Sequence, residues 1–372
     1  MIRLAIIGST GSIGKQCLEV VDKLGKDKIE IVAMTCGYNL ELFKKQIQKY
    51  RPEYTASMSD REDISENTNH FTGEGGIKKA IQISDPDYIM MSVSGSIGLK
   101  YSLFSLDYCK RLCLANKETI VCGGGYFLNK AKMKKVKILP VDSEHSSIFQ
   151  TLLGDVKPEE IFLTASGGSL RDKNPEEIQN ATVNEVLKHP VWSMGKRITV
   201  DSSTMVNKGL EIIEASYLFD FPQEKIKTYI CRNSFIHGGV KFIDGSMKFH
   251  IGKPDMKLPI AYSLTYPERV VKEEGINNLD ELNLNLEKID IKKYPSLKIA
   301  REICGIHSLQ IAYNAADEEA VKMFLNNKIK FGQISVIISK TLDRIPELNN
   351  LNYNDIFKIE NTARILANEV NL

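Results

Sequence analysis

Residues 201–211, DSSTMVNKGLE, gather two serine hydroxyls, the Asn207 amide, the Lys208 ammonium and the Glu211 carboxylate in one short segment. The segment reads as a strand end that turns through Ser202 and Ser203 into a helix. Ser and Asp favour such a turn because their oxygens accept from free first-turn amides. Val206, Leu210, Ile213 and Tyr217 then form one apolar stripe at helical spacing, with Asn207, Lys208 and Glu211 on the other side. Polar groups around a helix start favour anions. A solvated helix face has the same pattern, and the segment alone does not separate the two readings.

A second cluster is Asp142-Ser143-Glu144-His145, just past an apolar run at 137–141 that reads as a strand. Carboxylates two residues apart can ligate one cation where the chain turns, and such hard ligands suit Mg2+ or Mn2+. Two carboxylates make a poor cage, so a third is needed from elsewhere, and Glu211 is a candidate. The same residues fit an N-cap at Asp142 with Glu144 in the first turn of a helix over 145–153, facing its dipole. His145 fits a helix-start histidine better than a ligand. Lys117, within Asn116-Lys117-Glu118, lies just past another strand end, where open α/β sheets bind ligands; a surface lysine is the alternative. Ser166-Gly167-Gly168-Ser169 is a small-residue loop suited to a phosphate oxygen. Residues 189–195, HPVWSMG, carry the single tryptophan, Trp192, which is either pinned in the core or acts as a lid.

The elements that must position these groups follow a recognisable order. Residues 3–7 are a buried parallel strand, GSTGSIG at 8–14 a glycine-rich turn, then a helix with Ile13, Cys17, Val20, Val21 and Leu24 inward, and 29–35 a second strand. Glycines in the first turn of a βαβ unit let the backbone approach a pyrophosphate at the helix N-terminus. The second strand ends in Cys36-Gly37-Tyr38-Asn39, with no acid for a ribose 2′-hydroxyl, which leans towards NADPH. Strands are expected at 87–92, 111–115, 161–165 and 227–232. A hairpin is expected over 239–243 and 246–251, around Asp244-Gly245, and this could pair sheets across a dimer. Residues 255–269 read as a connector with a short helix, and 275–295 as a polar linker without strands. Helices are expected at 296–305, the first with a Ser296 cap, then 307–314, 317–326, 331–342 and 353–368, forming a small bundle.

Composition limits the alternatives. The chain has 372 residues, enough for two or three domains, and a formal net charge of +2, which creates no field aimed at nucleic acid. Its 7 cysteines show no CxxC spacing and fit free thiols in a reducing compartment. No apolar run approaches the ~20 residues of a membrane span, and the first residues show no basic region followed by a long apolar core and cleavage site, so no signal peptide is expected there. The expectation is a cytoplasmic protein.

Together the motifs resemble the 1-deoxy-D-xylulose 5-phosphate reductoisomerase family. The matching segments are GSTGSIG (8–14), LANKE (114–118), PVDSEH (140–145), SGG (166–168), HPVWSMG (189–195), VDSSTMVNKGLE (200–211), DGS (244–246) and LTYPER (264–269). They run in family order along essentially the whole chain. The resemblance implies an α/β fold: a Rossmann-like NADPH domain at 1–141, a catalytic and dimerising α/β domain at 142–270, a linker at 271–295 and a helical domain at 296–372.

It also implies roles. Asp142, Glu144 and Glu211 match the metal carboxylates, which supplies the third ligand. Ser166, His189, Ser202, Asn207 and Lys208 match the residues that hold the substrate phosphate, while Ser143 and Lys117 match contacts to the substrate backbone. Thr10, Gly11, Ser12, Ile13, Gly37, Tyr38, Asn39, Asn116, Glu118, Met194 and Gly195 match cofactor contacts, and Trp192 with Met194 the flap over substrate and nicotinamide. Lys117, Glu144 and Glu211 are the expected catalytic groups. The implied reaction is NADPH- and Mg2+- or Mn2+-dependent rearrangement and reduction of the sugar phosphate, by a homodimer in isoprenoid precursor synthesis. The alternative is an NADP-dependent dehydrogenase of another phosphorylated sugar, without rearrangement. The chain departs from the family pattern at Ser169-Leu170, Gly238-Gly239 and Tyr38.

Overall fold

The computed structural model describes residues 1–60, 64, 67–154, 156–192, 194–276, 280, 282 and 284–372. Ser193 of the HPVWSMG motif and parts of the expected linker lie outside the described residues. In chain order the elements begin β1 Ile2–Ile7, α1 Ser12–Leu24, β2 Ile29–Cys36, α2 Leu40–Tyr50, β3 Tyr54–Ser57, β4 Asn69–Thr72, α3 Gly73–Ile83, β5 Tyr88–Met91, α4 Ile97–Ser105, β6 Arg111–Leu114, α5 Lys117–Met133 and β7 Lys137–Pro140. Next come α6 Ser143–Thr151, β8 Glu160–Ala165, α7 Pro175–Gln179, α8 Val183–Val186, α9 Lys196–Thr204, α10 Val206–Leu218, β9 Ile226–Ile230, β10 Ile236–Lys241, β11 Met247–Ile251 and α11 Lys257–Thr265. The chain closes with β12 Glu287–Lys288, α12 Pro295–Glu302, α13 His307–Leu325, α14 Gln333–Leu342 and α15 Tyr353–Asn368.

The chain folds as two compact units. The first comprises Met1–Thr119, Phe127–Ser146 and Asp255–Glu274. Its seven-stranded sheet is parallel, in the order β4-β3-β2-β1-β5-β6-β7. Leu4 to Ile7 are fully buried, as a parallel strand covered on both faces requires. Strands β3 and β4 were not anticipated: YTAS and NHFT carry no apolar run, and they become strands by pairing in register beside β2. The order reverses between β1 and β5, which opens a crevice at their carboxyl ends. Helix α11 packs in this unit although it is distant in sequence. Arg111 Nη1 donates to the carbonyls of Ser263 and Leu264 at 3.2 and 3.3 Å, and Nη2 to Tyr266 at 3.0 Å, satisfying the end of α11.

The second unit comprises Ile120–Tyr126, Ser147–Pro254 and Gly275–Leu372. Its five-stranded mixed sheet has the order β11-β10-β8-β9-β12, with β8 and β9 parallel and the other pairs antiparallel. Its core gathers Ile161, Leu163 and Val240 from the sheet, Met205, Ile212 and Ala215 from the α10 region, and Leu297 from α12.

Several expectations are corrected here. Residues 201–204 are not a strand end; they close helix α9, and Met205, at φ 61° and ψ 14°, separates α9 from α10. The β-branched run Ile198, Thr199, Val200 suggests a strand, but packing of α9 against α10 and α13 overrides that propensity. The expected helices 307–314 and 317–326 are one helix, α13, because Asp317, which looks like a new cap, is buried inside it and faces Arg197. Ser296 is not the cap of α12; Pro295 occupies the first turn after Tyr294. The polar 275–295 stretch does contain a strand, β12, which pairs with β9 through Glu287 and Lys288. The hairpin around Asp244-Gly245 forms as expected, with β10 starting earlier, at Ile236. Among the described residues no helix is long and apolar enough to cross a membrane.

Candidate active site

In the first unit the groups of interest collect at the carboxyl ends of the strands. The turn after β1 places Gly8 at φ 93°, where a Cβ would sit 3.0 Å from the Ser92 carbonyl carbon, so both conformation and close approach require glycine. A Cβ at Gly14 would fall 2.3 Å from Gly8 O, so α1 lies tightly against its own entrance turn. Gly11 caps α1 with no side-chain bond to the first-turn amides, and that turn holds no acid. Its Thr10, Gly11, Ser12 and Ile13 therefore present an uncapped positive helix end, which suits a pyrophosphate. At the end of β2, Gly37 has open space around its Cα. Tyr38 is 76% exposed, and Asn39 caps α2 by accepting from Leu42 N at 3.3 Å.

Asn116 and Glu118 are buried. Asn116 Nδ2 donates to Val93 O and Gly95 O, both at 3.0 Å, and to Glu118 Oε2 at 2.6 Å, while Glu118 Oε1 accepts from Gly95 N at 3.1 Å. Their side chains therefore hold the loop that follows β5. Lys117 is 9% exposed, and its Nζ lies 2.7 Å from Asp142 Oδ2. Burial pushes the Asp142 carboxyl up, but the Lys117 ammonium and the His145 ring outweigh it and hold it well below the usual carboxylate range. Asp142 thus stays an anion. Ser146 N donates to Asp142 O at 2.8 Å, so the chain turns into α6 here, and Ser143 Oγ donates to the Glu144 carboxylate. Asp142 and Glu144 are the two hard oxygen donors of this segment, and they fit a divalent cation.

In the second unit, α9, α10 and the loop after β8 come together. Gly167 and Gly168 have φ 86° and 69°. A Cβ at Gly168 would lie 2.6 Å from Ser203 Cα and 2.9 Å from Ser202 O, so only glycine lets this loop rest on α9. Ser169 N and Oγ meet Ser203 Oγ at 3.3 and 3.0 Å. Ser166 Oγ lies 2.9 Å from His189 Nε2 and accepts from Gly168 N at 3.2 Å. His189 Nδ1 accepts from the backbone amides of Val191 and Trp192 at 3.2 and 2.8 Å. The ring proton therefore sits on Nε2 and is donated to Ser166, whose own O–H remains to donate outward. Burial, then the Arg171 charge, pushes the His189 pKa down to about 4, so the ring is neutral at pH 7.

Helix α10 differs from a solvated amphipathic helix. Lys208 and Glu211 are 2% and 1% exposed, as buried as the Val206 stripe opposite. Lys208 Nζ pairs with Glu211 Oε2, and Asn207 Nδ2 donates to Glu211 Oε1 at 2.5 Å. A buried charge demands such partners. A Cβ at Gly209 would meet Ala300 Cβ at 2.5 Å, so α10 lies directly on α12. Trp192 is half-buried, with its ring centroid 6.2 Å from that of His237 in an edge-on contact, and is not part of the core. Met194 is half-buried and Gly195 caps α9.

Two supporting roles were missed from sequence. Arg171 Nη1 donates to Ser166 O at 2.7 Å and to Arg232 O at 3.0 Å, bracing the glycine loop. Ser203 seats that loop on α9. Both act through partners distant in sequence, and no local pattern marks them.

Comparison with known proteins agrees with this construction. Family profiles match residues 4–124 as 1-deoxy-D-xylulose 5-phosphate reductoisomerase, 138–219 as the C-terminal domain of that enzyme, and 251–366 as the DXP reductoisomerase C-terminal domain. The 1-deoxy-D-xylulose 5-phosphate reductoisomerase of Thermotoga neapolitana is 43% identical over 370 residues, covering 99% of this chain and 96% of that protein. The Halalkalibacterium halodurans protein of the same name is 39% identical, covering 99% of each. A crystal structure of DOX-P reductoisomerase in complex with NADPH, fosmidomycin and magnesium superposes with a TM-score of 0.91 at 33% identity, covering 99% of this chain and 98% of that one. The Zymomonas mobilis enzyme in complex with NADPH gives a TM-score of 0.89 at 31% identity, covering 98% of each chain. With the fold, the motif order and full-length relatives in agreement, this chain belongs to the 1-deoxy-D-xylulose 5-phosphate reductoisomerase family.

Proposed function

We propose that this chain converts 1-deoxy-D-xylulose 5-phosphate to 2-C-methyl-D-erythritol 4-phosphate, with NADPH and Mg2+ or Mn2+, in non-mevalonate synthesis of isoprenoid precursors. The observation that carries the reading is the His189–Ser166–Gly168 hydrogen-bonded set resting on Ser202 and Ser203 of α9. It is a phosphate grip in a chain of this family.

In this reading Ser166, His189, Ser202, Asn207 and Lys208 hold the phosphate, and Ser143 and Lys117 orient the carbon backbone. Asp142, Glu144 and Glu211 are the metal ligands. Thr10, Gly11, Ser12, Ile13, Gly37, Tyr38 and Asn39 take the nucleotide, with Asn116 and Glu118 holding the loop beside it. Trp192, Met194 and Gly195 belong to the flap. The cation, when bound, polarises the ketone and acidifies the neighbouring hydroxyl, and NADPH supplies hydride for the rearranged aldehyde. The neutral His189 leaves Ser166 a donor for the phosphate. Lys208, nearly dry, acts on an anion with little solvent screening. Lys117 brings a buried positive charge to the reacting end, where negative charge develops. The phosphate is remote from the reacting carbons, so its binding can drive closure of the 189–195 loop.

The proposed division places the nucleotide domain at 1–141, the catalytic domain at 142–270, the linker at 271–295 and the helical domain at 296–372, with 255–270 following the catalytic segment in sequence but folding in the first compact unit. A homodimer is proposed through the hairpin. Strand β11 is a sheet edge, and Ile243 at the turn is 92% exposed. Such an edge calls for a cover. The enzyme would act in the cytoplasm.

The deciding experiment follows NADPH oxidation with the sugar phosphate and Mg2+ or Mn2+, and identifies the product by carbon NMR. The expected result is turnover only with all components and a branched product. An unrearranged product would make the chain an ordinary phosphosugar dehydrogenase.

A further inference from the structure

Arg197 stands between Gly195, the end of the 189–195 loop, and Ser202. Its guanidinium reaches acceptors on two helices. On α9 itself Nε lies 3.4 Å from Asp201 Oδ2. On α13, Nη2 donates to Asn314 Oδ1 at 3.0 Å and lies 3.4 Å from Asp317 Oδ2, while Nη1 donates to Glu318 Oε1 at 2.8 Å. Glu318 also pairs with Arg364 of α15, which meets Glu319 at 3.0 Å and Glu360 at 2.9 Å.

Asp317 has no solvent exposure and Asp201 has 4%. Burial, then the nearby Asp201 charge, hold the Asp317 carboxyl well above the usual carboxylate range, which reduces repulsion between the two acids. Taking so many charged groups out of water is costly, and apolar residues would pack two helices at least as stably. What a planar five-donor fork adds is geometry. It meets several acceptors at once in fixed directions, so it sets both the rotation and the sliding of one helix on another. Helix α9 needs that control. It presents Ser202, it seats the 166–169 loop through Ser203, and it ends at the left-handed Met205, where no continuous helix holds it in line with α10.

We propose that Arg197 is a positioning residue for phosphate recognition: its fork to Asp201, Asn314, Asp317 and Glu318 registers α9 on α13 and so aims Ser202 and the glycine loop at the substrate's phosphate. The C-terminal bundle thereby acts on the register of α9 through this side chain. This rests on the assignment of Ser166, His189 and Ser202 to the phosphate.

The test compares Arg197→Met with Arg364→Met in the full-length enzyme, with Ser202→Ala as reference. Both arginine variants remove partly buried ion pairs, but only Arg197 touches α9. The expected result for Arg197→Met is a fall in kcat/KM for the sugar phosphate on the order of 10²-fold, the scale of an ångström-level misplacement, with KM for NADPH unchanged. Arg364→Met should lower the melting temperature and leave kcat/KM within about two-fold, since its partners lie on α13 and α15 only. Arg197→Lys, which keeps the charge and loses the fork, should fall between wild type and Arg197→Met, and it carries the test if Arg197→Met does not fold. Equal loss in both arginine variants, in step with melting temperature, would reduce Arg197 to a structural residue and overturn the proposal. So would an unchanged kcat/KM in Arg197→Met. If Ser202→Ala leaves KM for the sugar phosphate unchanged, the phosphate assignment itself falls first.

Discussion

His189 Nε2 lies 2.9 Å from Ser166 Oγ, while Nδ1 of the same ring accepts the amides of Val191 and Trp192. One imidazole thus orients the serine of the proposed phosphate grip on one side and holds the backbone of Val191 and Trp192 on the other. It can do both only as the neutral Nε2–H tautomer, because a proton on Nδ1 would face two N–H donors.

That requirement sets a pH dependence. The His189 pKa is pushed down to about 4 from 6.5 by burial and then by Arg171. Between those values the unfolded chain binds a proton that the folded chain refuses. His189 therefore contributes stability above pH 6.5 that is lost as pH falls towards 4. An NMR titration of the histidine Cε1 resonances, assigned with His189→Gln, should give a midpoint near 4 in the free enzyme. A midpoint near 6.5 would mean that the ring is solvated and the double anchor is wrong.

Glu211 is the carboxylate whose neighbours make a substitution readable. Glu211→Gln should lower metal affinity by about 10²-fold or more, given that even the outer partners of a metal matter by ~10–100-fold. NADPH affinity should be unchanged. Removing its charge also breaks the buried ion pair with Lys208, a loss of up to about 3–5 kcal/mol. Calorimetric metal and NADPH titrations with a thermal melt check all three. Loss of NADPH binding, with metal binding retained, would sink the assignment. Chelation of the wild-type enzyme should abolish turnover, and Mg2+ or Mn2+ should restore it.

Met205 poses a choice between backbone and packing. Its φ of 61° favours glycine, and relief of that conformation would give about 1–2 kcal/mol. Its side chain is 1% exposed within the core of the second unit, and losing a buried Met side chain costs about 2–5 kcal/mol. Packing wins, so Met205→Gly should be destabilised by roughly 1–3 kcal/mol on these two scales. Denaturant unfolding measures it, and a stabilised variant would show that the side chain contributes little.

Gly168→Ala tests the seat of the phosphate loop. The residue has φ 69°, and its new Cβ would lie 2.6 Å from Ser203 Cα. Stability should fall by about 1–3 kcal/mol, and KM for the sugar phosphate should rise while KM for NADPH holds. Steady-state kinetics in both substrates would decide, and an unaltered KM for the sugar phosphate would detach this loop from the grip.

Trp192 is the single tryptophan, so emission excited selectively at tryptophan, clear of the tyrosines, reports on it alone. Half-buried against His237, it should change in intensity or wavelength when the sugar phosphate and a divalent cation bind. A spectrum unmoved by saturating ligand would argue for a fixed side chain and against a flap.

Much of this protein was legible in its residues alone. The glycine triplet between an apolar run and an amphipathic helix specifies a βαβ turn, because a tight turn and a close backbone approach admit few other residues. The stripe Val206, Leu210, Ile213, Tyr217 specifies a helix by period. The ordered set of motifs specifies the family. Local period tells which residues share a face, but not what covers that face. The segment alone therefore left the polar side of α10 open between a solvated face and a site, and the structure shows Lys208 and Glu211 buried and paired. Strand β3 exists because β2 offers it an edge, and β4 because β3 does the same; 201–204 is helical because α10 and α13 pack against it. The tautomer of His189 and the reach of Arg197 to Asn314, Asp317 and Glu318 likewise depend on groups brought together only when the chain closes. A hydrogen bond or ion pair acts over a few ångströms, and only the tertiary fold decides which distant residues come within that range.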